Sequence, residues 1–291
     1  MVCEGKRAVY AMIQYQSAFH SISTLCKTLG VSRSAYYAWK SRPSGQRKQD
    51  DRVLSDDIVR IFNESRKTYG VPRLQRALRA EGKNHGKSRI KRLMNDNHLK
   101  AKAAKRFKVT TNSQHSKTVA PNVLSQNFKP QAPNQAWCAD ITYISTQEGW
   151  LYLATVIDLY SRMIIGWSMS KSLKTRLVED ALTMALWRRK PSEGTIHHSD
   201  RGSQYCSASF QKLLAKHRFV CSMSGSGNCY DNAVMESFYH TLKVELVYDQ
   251  YYSSRDEARK AIFDYIEVFY NRQRIHSSLG YQSPLMFEMA A

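Results

Sequence analysis

The alternation of apolar and polar positions divides the chain into a helical first part and a second part that mixes strands with helices. Residues 21–40 place apolar side chains at helical spacing, break at Gly30 and resume the spacing after Ser32. This pattern predicts a helix-turn-helix in which Ser32 caps the second helix. Periodicity alone fits an ordinary helical hairpin equally well, so the surrounding charge has to separate the two interpretations.

Further helices are predicted downstream, over 50–62, from Arg73 to just before Gly82, and over 88–95. A polar, proline-bearing stretch without periodicity then follows, as is typical of a linker. The pattern therefore predicts a helix-turn-helix-like module over 1–45, a second basic helical module over 46–108, and a linker over 109–133.

Beyond the linker, period-two alternation and apolar runs predict strands that alternate with helices. Short connections between the first three strands indicate an antiparallel meander, and the order as a whole is typical of a ribonuclease-H-like α/β core over 134–291 with a C-terminal extension. The predicted strands are 137–144, 150–158, 163–169, 195–198 and 220–223, and the predicted helices are 173–189, 207–216 and 232–246.

Charge is concentrated in the helical part. Residues 1–130 carry 27 basic against 8 acidic side chains, whereas the remainder carries 17 against 16, within a total net charge of +20. A basic half joined to a near-neutral half favours nucleic-acid-binding modules on a globular body and excludes a uniformly basic packaging protein. The predicted DNA contacts are Arg33, Ser34 and Tyr37 on the recognition helix, and Arg73, Arg89, Lys91, Arg92, Lys105 and Arg106 in the second module.

Nothing in the sequence suggests a membrane or a secretory route. The chain has no run of about 18 apolar residues and no apolar signal core, so we expect a cytoplasmic protein. Its six cysteines form no C-x-x-C pair, and we expect reduced, mostly buried thiols rather than a zinc site.

Three carboxylates stand where the predicted elements would present them at one edge of the sheet. Asp140 interrupts the first apolar strand, Asp200 follows the fourth strand, and Glu236 lies in the last core helix with 35 residues between it and Asp200. An aspartate within an apolar strand costs several kcal/mol unless it is paired or bound to a metal. Each acid also has a structural interpretation, as an ion-pair partner, a helix cap or a solvated helical residue.

Other polar residues compete for the same roles. Asp158 ends the second strand, and we interpret it as structural, hydrogen-bonding the turn at 160–162. Asp231 is interpreted as a cap of the helix that follows it. His197 is interpreted as a packed strand-end histidine rather than a substrate contact.

Four ordered motifs carry a resemblance to a known family. The chain resembles bacterial insertion-sequence transposases with a retroviral-integrase-type D, D-35-E core, and in particular the second-frame product of two-frame insertion sequences. Together with the N-terminal modules, the similarity covers nearly the whole chain. The motifs are WCADITY at 137–143, HSDRGSQY at 198–205, YDNAVMESF at 230–238 and YNRQRIHSSLGYQSP at 270–284.

The resemblance implies a ribonuclease-H-like integrase core with a mixed five-stranded sheet, and metal-dependent cleavage of DNA to a 3′-OH followed by strand transfer. Two metal ions suit such chemistry because they stabilise the attacking and the leaving oxygen. Mg²⁺ is the expected ion, with Mn²⁺ as an alternative, and the resemblance assigns Asp140 to both ions and Asp200 and Glu236 to one each. Supporting or DNA-contacting residues in the core would be His198, Ser203, Gln204, Tyr205, Asn232 and Lys243.

The expected partner is double-stranded DNA, both the terminal inverted repeats of the element and its target, bound by a homo-oligomer in the bacterial nucleoid. Relatives act as a fusion with an upstream helix-turn-helix and a leucine zipper, and no heptad of leucines occurs in this sequence. The upstream-frame product, separate or fused, is therefore a further candidate partner. The alternatives are a non-catalytic DNA-binding regulator from a decayed element and a ribonuclease-H-like nuclease without transposition.

Overall fold

The computed structural model describes residues 5–41, 46–102, 119–225 and 229–290. The chain divides into two compact units, Met1–Val59 and Arg60–Ala291. Helix α4 (Gln46–Glu64) contains the boundary between them. Each unit has buried apolar side chains of its own, and the second contains the whole sheet.

The first unit is a small cluster of helices around Ile13, Cys26 and Tyr36, which are almost fully buried. The hydroxyl of Ser32 accepts a hydrogen bond from the Ala35 amide at 3.1 Å, which confirms the predicted cap, whereas the assignment of these helices as a DNA-binding helix-turn-helix stays a prediction. These helices are α1 (Lys6–Gln16), α2 (Ile22–Thr28) and α3 (Arg33–Ser41).

The second unit begins with two amphipathic helices whose apolar faces are buried. The segment that precedes them is tied to the C-terminal part of the chain, because the Tyr69 hydroxyl donates to the Gln273 carbonyl at 3.1 Å and accepts from the Ile275 amide at 3.0 Å. The helices are α5 (Val71–Ala80), with buried Leu74 and Leu78, and α6 (Lys87–Asp96), with buried Ile90 and Leu93.

The sheet of the second unit has five strands in the order β3-β2-β1-β4-β5. The first three strands pair antiparallel, and β4 and β5 pair parallel to β1. The predicted meander and the mixed five-stranded sheet are thus confirmed. The strands are β1 (Ala136–Thr146), β2 (Gly149–Asp158), β3 (Ile164–Ser170), β4 (Ile196–Ser199) and β5 (Val220–Met223).

Both faces of the sheet are covered by helices, as expected for strands that are apolar throughout. Along β1, Ala136 and Cys138 pack on the face covered by α9 and α10, whereas Trp137 and Ala139 pack on the face covered by α7 and α8. This alternation makes β1 the centre of both cores. The helices are α7 (Thr175–Arg189), α8 (Ala208–Lys216), α9 (Ala233–Leu242), α10 (Arg255–Asp264) and α11 (Pro284–Met289).

Two helices of the second unit continue into wider π turns. Helix α9 continues as Lys243–Val247, and α10 continues as Tyr265–Tyr270. Within the second unit the two turns meet, because the Tyr265 hydroxyl donates to the Glu245 carboxylate at 2.8 Å.

Part of the predicted linker packs on the core. Leu124 is buried, and the amides of Val123 and Leu124 both donate to the Ser222 hydroxyl at 3.0 Å. Residues 103–118 lie outside the described part of the chain. This range includes the first part of the predicted linker, 109–118. The domain boundaries stay a prediction.

Two expectations about composition can be compared with the described residues. Cys26, Cys138 and Cys206 are free and buried, and Cys221 is free and half-buried, as expected for reduced thiols. No helix in the described segments has the length and apolarity needed to cross a bilayer.

The close contact between β3 and α7 depends on the absence of a side chain at Gly166. A Cβ at this position would overlap the Ala181 carbonyl oxygen and lie 2.8 Å from the Ala185 Cβ. We expect Gly166→Ala to lower the free energy of unfolding by about 3 kcal/mol, the upper end for overpacking, since backbone must move. Denaturant unfolding measures this, with Gly86→Ala as the control.

Gly86 has open space around it, so its substitution should cost only the loss of a preferred cap residue, below about 1 kcal/mol. Equal stability of the two variants would contradict the proposed packing.

Candidate functional site

Two of the candidate acids lie side by side at one end of the sheet. The parallel pairing of β1 with β4 sets Ala139 opposite Ser199, and one residue further along each strand come Asp140 and Asp200. Neighbouring strands are about 4.8 Å apart, so the register alone brings the two backbones together. Asp200 begins a turn in which its Oδ1 accepts the Gly202 amide at 2.9 Å.

The third acid approaches from the helix that covers this face. Asp140 continues the β1 face of Ala136 and Cys138, which is the face that α9 covers. Tyr239 of α9 fixes the contact, because its hydroxyl donates to the Asp140 carbonyl at 2.5 Å. Glu236 precedes Tyr239 by three residues and so lies on the same side of the helix, exposed to solvent.

The electrostatics confirm that these groups are neighbours. Burial and the carboxylates of Asp200 and Glu236 raise the pKa of Asp140 well above its usual range, against a hydrogen bond from the Ile141 amide that lowers it. Lys243 acts in the opposite direction on Asp140. Partial burial also raises the pKa of Glu236. Gathered negative charge of this kind is relieved by a cation.

A neutral histidine supports the end of β4 beneath Asp200. Its ring nitrogens lie 2.9 Å from the Ser222 hydroxyl and 3.2 Å from the Ser224 hydroxyl. Burial lowers the pKa of His198 to about 4, so the ring is uncharged at neutral pH. His198 therefore fixes the strand by hydrogen bonds and adds no charge.

Two of the competing residues prove structural, as expected. Asp158 accepts the Tyr160 amide at 3.0 Å and the Asn134 amide at 2.8 Å, which holds the turn after β2. His197 is buried among the rings of Phe210 and Phe219, away from solvent.

The interpretation of Asp231 as a helix cap is wrong. The N-cap of α9 is Asn232, and its side chain makes no capping hydrogen bond. Asp231 instead accepts the Gly225 amide at 2.7 Å and the Gln126 side-chain amide at 2.9 Å. It joins three segments, because partners distant in sequence compete successfully with the local helix terminus.

Comparison with known proteins places this geometry in a family. Residues 130–229 and 236–290 match models described as integrase core domain, and residues 48–107 match a model described as HTH-like domain. The chain is 47% identical, over 90% of its length and 97% of the relative, to the insertion element IS600 uncharacterized 31 kDa protein of Shigella sonnei. It is 44% identical, over 96% of its length and 98% of the relative, to the transposase InsF for insertion sequence IS3A of Escherichia coli.

The chain belongs to the family of insertion-sequence transposases. It is therefore an enzyme of the polynucleotidyl-transferase kind, which favours the transposase hypothesis over a decayed regulator or an isolated nuclease. Among solved structures, one similar chain is in the simian T-cell lymphotropic virus intasome in complex with PP2A regulatory subunit B56 gamma. The alignment covers 74% of the present chain and 70% of the intasome chain, at 17% identity and a TM-score of 0.47. A second is the HTLV-2 integrase catalytic core domain in complex with magnesium. That alignment covers 55% of the present chain and 99% of the integrase domain, at 14% identity and a TM-score of 0.43.

The other core residues expected in a transposase site lie at different depths. Lys243 is half-buried, 4.9 Å from the centre of the Tyr143 ring and within the electrostatic influence of Asp140. Asn232 is buried, and its Oδ1 has no hydrogen-bond partner among the described residues. Ser203 and Gln204 are half-buried in the turn after Asp200.

Tyr205 is the exception among these residues. It is 1% exposed, and its ring packs against Phe210 in the core, so the expected DNA contact has no exposed surface to support it. Burial raises its pKa well above the usual range, and Asp140 adds to this effect. Tyr205 is thus a core residue, and its supporting role stays a prediction.

The expected DNA-binding residues of the helical parts also differ in exposure. Arg33, Ser34 and Tyr37 are exposed on α3. In the second unit Lys91 and Arg92 are exposed, whereas Arg89 is half-buried. Arg73 lies 3.7 Å from the Glu245 carboxylate. Lys105 and Arg106 fall within 103–118, outside the described residues.

Sequence reasoning missed the residues that hold Asp140 in place. Thr155 is the β2 partner of Asp140 in the register, is fully buried, and lies 2.8 Å from the Tyr239 hydroxyl. Because that hydroxyl donates to the Asp140 carbonyl, it accepts from Thr155. The sequence did contain one signal for this contact, namely a threonine in an otherwise apolar strand that pairs with Asp140 in the antiparallel meander.

We expect Tyr239→Phe to slow DNA joining about ten-fold, the lower end for loss of a group that orients a ligand, because Asp140 loses its tie to α9. Stability should fall by only about 1 kcal/mol, the contribution of one hydrogen bond. The rate of joining of an element-end oligonucleotide measures the first effect and denaturant unfolding the second.

Tyr251→Phe serves as the control, since that tyrosine is 78% exposed and its hydroxyl contacts only Gln147 among the described residues. A joining rate for Tyr239→Phe equal to that of the control would show that the tie does not matter.

Proposed function

We propose that the chain binds the terminal inverted repeats of an insertion sequence and carries out metal-dependent cleavage and strand transfer at Asp140, Asp200 and Glu236. The observation that carries the proposal is the β1–β4 register, which sets Asp140 beside Asp200, together with the tie from Tyr239 that brings Glu236 to the same end of the sheet.

The donor set fits hard divalent cations. Mg²⁺ takes carboxylate, phosphate and water oxygens in octahedral geometry, and one or two protein carboxylates for each ion suffice. Among the described residues no three acidic, histidine or cysteine side chains converge on one point, so a closed site for a single ion is not formed. Asp140, Asp200 and Glu236 would be the residues that hold the ions, and ions held by one or two carboxylates each need no such convergence. Two bound Mg²⁺ or Mn²⁺ ions would stabilise the charge on the attacking and leaving oxygens of the phosphodiester.

The protein's own groups would then have distinct tasks. Asp140, held from behind by Tyr239, gives both ions a fixed position. The turn at Asp200 is rigid because the Gly202 amide holds its carboxylate. The Lys243 ammonium, half-buried beside Asp140, would contact a phosphate oxygen of the bound strand. Asn232, one turn before Glu236, offers an amide oxygen without a partner among the described residues.

DNA recognition would begin at α3. The N-terminal end of a recognition helix meets base edges in the major groove, and Arg33, Ser34 and Tyr37 are exposed at that end. In the second unit, Lys91 and Arg92 would contact the phosphate backbone. We further propose that the protein acts on DNA as a homo-oligomer in the bacterial cytoplasm. The upstream-frame product, separate or fused, is proposed as a further partner.

We expect Asp200→Asn to reduce Mg²⁺-dependent joining of an element-end oligonucleotide roughly 10⁴-fold or more, the size of effect that follows loss of a catalytic group. DNA binding should be unchanged, because the asparagine oxygen can still accept the Gly202 amide and preserve the turn. Joining and binding are measured on the same preparation.

The control is Asp180→Asn, since Asp180 pairs with Arg176 on the solvent side of α7. That variant should join DNA at the wild-type rate. Undiminished joining by Asp200→Asn would show that the triad is assigned wrongly.

We expect Arg33→Gln to lower affinity for inverted-repeat DNA about ten-fold, since a good base contact contributes about 1–3 kcal/mol of discrimination. Affinity for a scrambled duplex should change much less. Competition binding gives the ratio of the two affinities. Lys6→Gln, an exposed substitution of equal charge on α1, should leave that ratio unchanged. A ratio in Arg33→Gln equal to that in Lys6→Gln would argue against recognition by α3.

A further inference from the structure

A cavity of about 390 Å³ lies on the flank of α9 that faces away from the carboxylates. Ala233, Ser237 and Thr241 line it at four-residue intervals and therefore form one stripe of the helix. At 100° per residue this stripe is roughly 110° around the helix axis from the side that bears Glu236 and Lys243. The same helix is thus a wall of both the candidate active site and the cavity.

The opposite walls of the cavity are strongly basic. They contain Arg73 of α5, Arg162 of the turn between β2 and β3, and Arg274 of the C-terminal segment. The last wall is formed by His276 and the hydroxyls of Ser277 and Ser278. All of these residues belong to the second unit.

Two of the three guanidinium groups approach one carboxylate, that of Glu245. Arg274 makes a buried ion pair with Glu245, with its Nε at 2.8 Å from Oε2 and its Nη2 at 2.8 Å from Oε1. Arg73 approaches the same carboxylate at 3.7 Å. Arg162 donates from Nη2 to the Phe128 carbonyl at 2.9 Å and pairs with no acid in the described part of the chain. Two positive charges are therefore in excess around the cavity.

The His276 ring lies against this basic cluster, with Arg274 Nη1 at 3.3 Å from its Nε2 and 3.4 Å from its Nδ1. Burial and then Arg274, Arg73 and Arg162 lower the pKa of its ring to about 2. The ring is neutral at neutral pH, so it adds no repulsion to the three guanidinium charges. Burial likewise lowers the pKa of Arg162 and of Arg73.

An excess of half-buried positive charge is costly unless an anion offsets it. Guanidinium groups match the oxygens of a phosphate in a bidentate geometry, and the serine and threonine hydroxyls supply further donors. The volume exceeds that of a phosphate alone and suits a nucleotide-sized group.

We propose that this cavity is a second DNA site of the core, which holds a backbone phosphodiester, with its sugar, on the flank of α9 remote from the carboxylates. The inference rests on the proposed function, since the DNA is taken to be the strand on which the enzyme acts. Arg162 and Arg73 bind the phosphate oxygens, while Arg274 is positioned by Glu245.

The test uses the full chain, a duplex that carries the element end, and buffer with EDTA so that binding is measured without chemistry. We expect Arg162→Gln to weaken binding about ten-fold and to reduce by about 1 the slope of log K against log salt concentration, as loss of one phosphate contact does. Arg73→Gln, at a more accessible position, should show the same two changes and serves if Arg162→Gln fails to fold.

The matched control is Arg259→Gln, which removes an equal charge from α10, outside the cavity, where the arginine pairs with Asp256. It should leave affinity and slope unchanged. Wild-type affinity and slope in both cavity variants would overturn the proposal. Inorganic phosphate is the second probe. If it raises the thermal midpoint of the wild type but not of Arg162→Gln, while DNA binding is identical in the two, the cavity takes free phosphate and the DNA assignment is wrong.

The two proposals fail in different ways. Wild-type protein that neither binds nor joins element-end DNA would contradict the proposed function itself. Wild-type protein that joins DNA, beside cavity variants with unaltered binding and slope, would contradict only the assignment of the cavity.

Discussion

The parallel pairing of β1 with β4 is the constraint on which the rest of the structure depends. It places Asp140 and Asp200 next to each other, and the repulsion between their charges, together with burial, works against ionisation of Asp140. The fold withstands this because β1 is the central strand, packed on both faces and flanked on both edges. A rigid core thus holds close together two groups that would separate in a flexible chain.

Much of the fold and part of the site could be predicted from the sequence, because the deciding signals were local. The apolar run that Asp140 interrupts and the capping position of Ser32 are readable from a few neighbouring residues. Asp158 was interpreted correctly because its partners lie in the adjacent turn and before β1. Asp231 was misinterpreted, since Gly225 and Gln126 bind it and only the folded chain brings Gln126 near.

The burial of individual side chains also could not be predicted from the sequence. Tyr205 lies in a motif beside Asp200 and was expected to support the site or contact DNA, and the turn after β4 directs its ring into the core. Arg73 was expected among many DNA-contacting cations, and only tertiary structure shows that it shares Glu245 with Arg274. The contact between Arg73 and Glu245 joins residues more than a hundred positions apart, which no local pattern encodes.

Helix α9 is a wall of both the candidate active site and the cavity, so binding at one can affect binding at the other. If occupancy of the cavity shifts the helix even slightly, Tyr239 transmits the shift to the backbone of Asp140, and Glu236 moves with it. Coupling between two sites is reciprocal, so a strand bound on one flank would change the affinity for cations on the other by the same factor that the cations change the affinity for the strand. Under the proposed function, cation binding and seating of the strand would therefore have to be measured together, since each would change the affinity for the other.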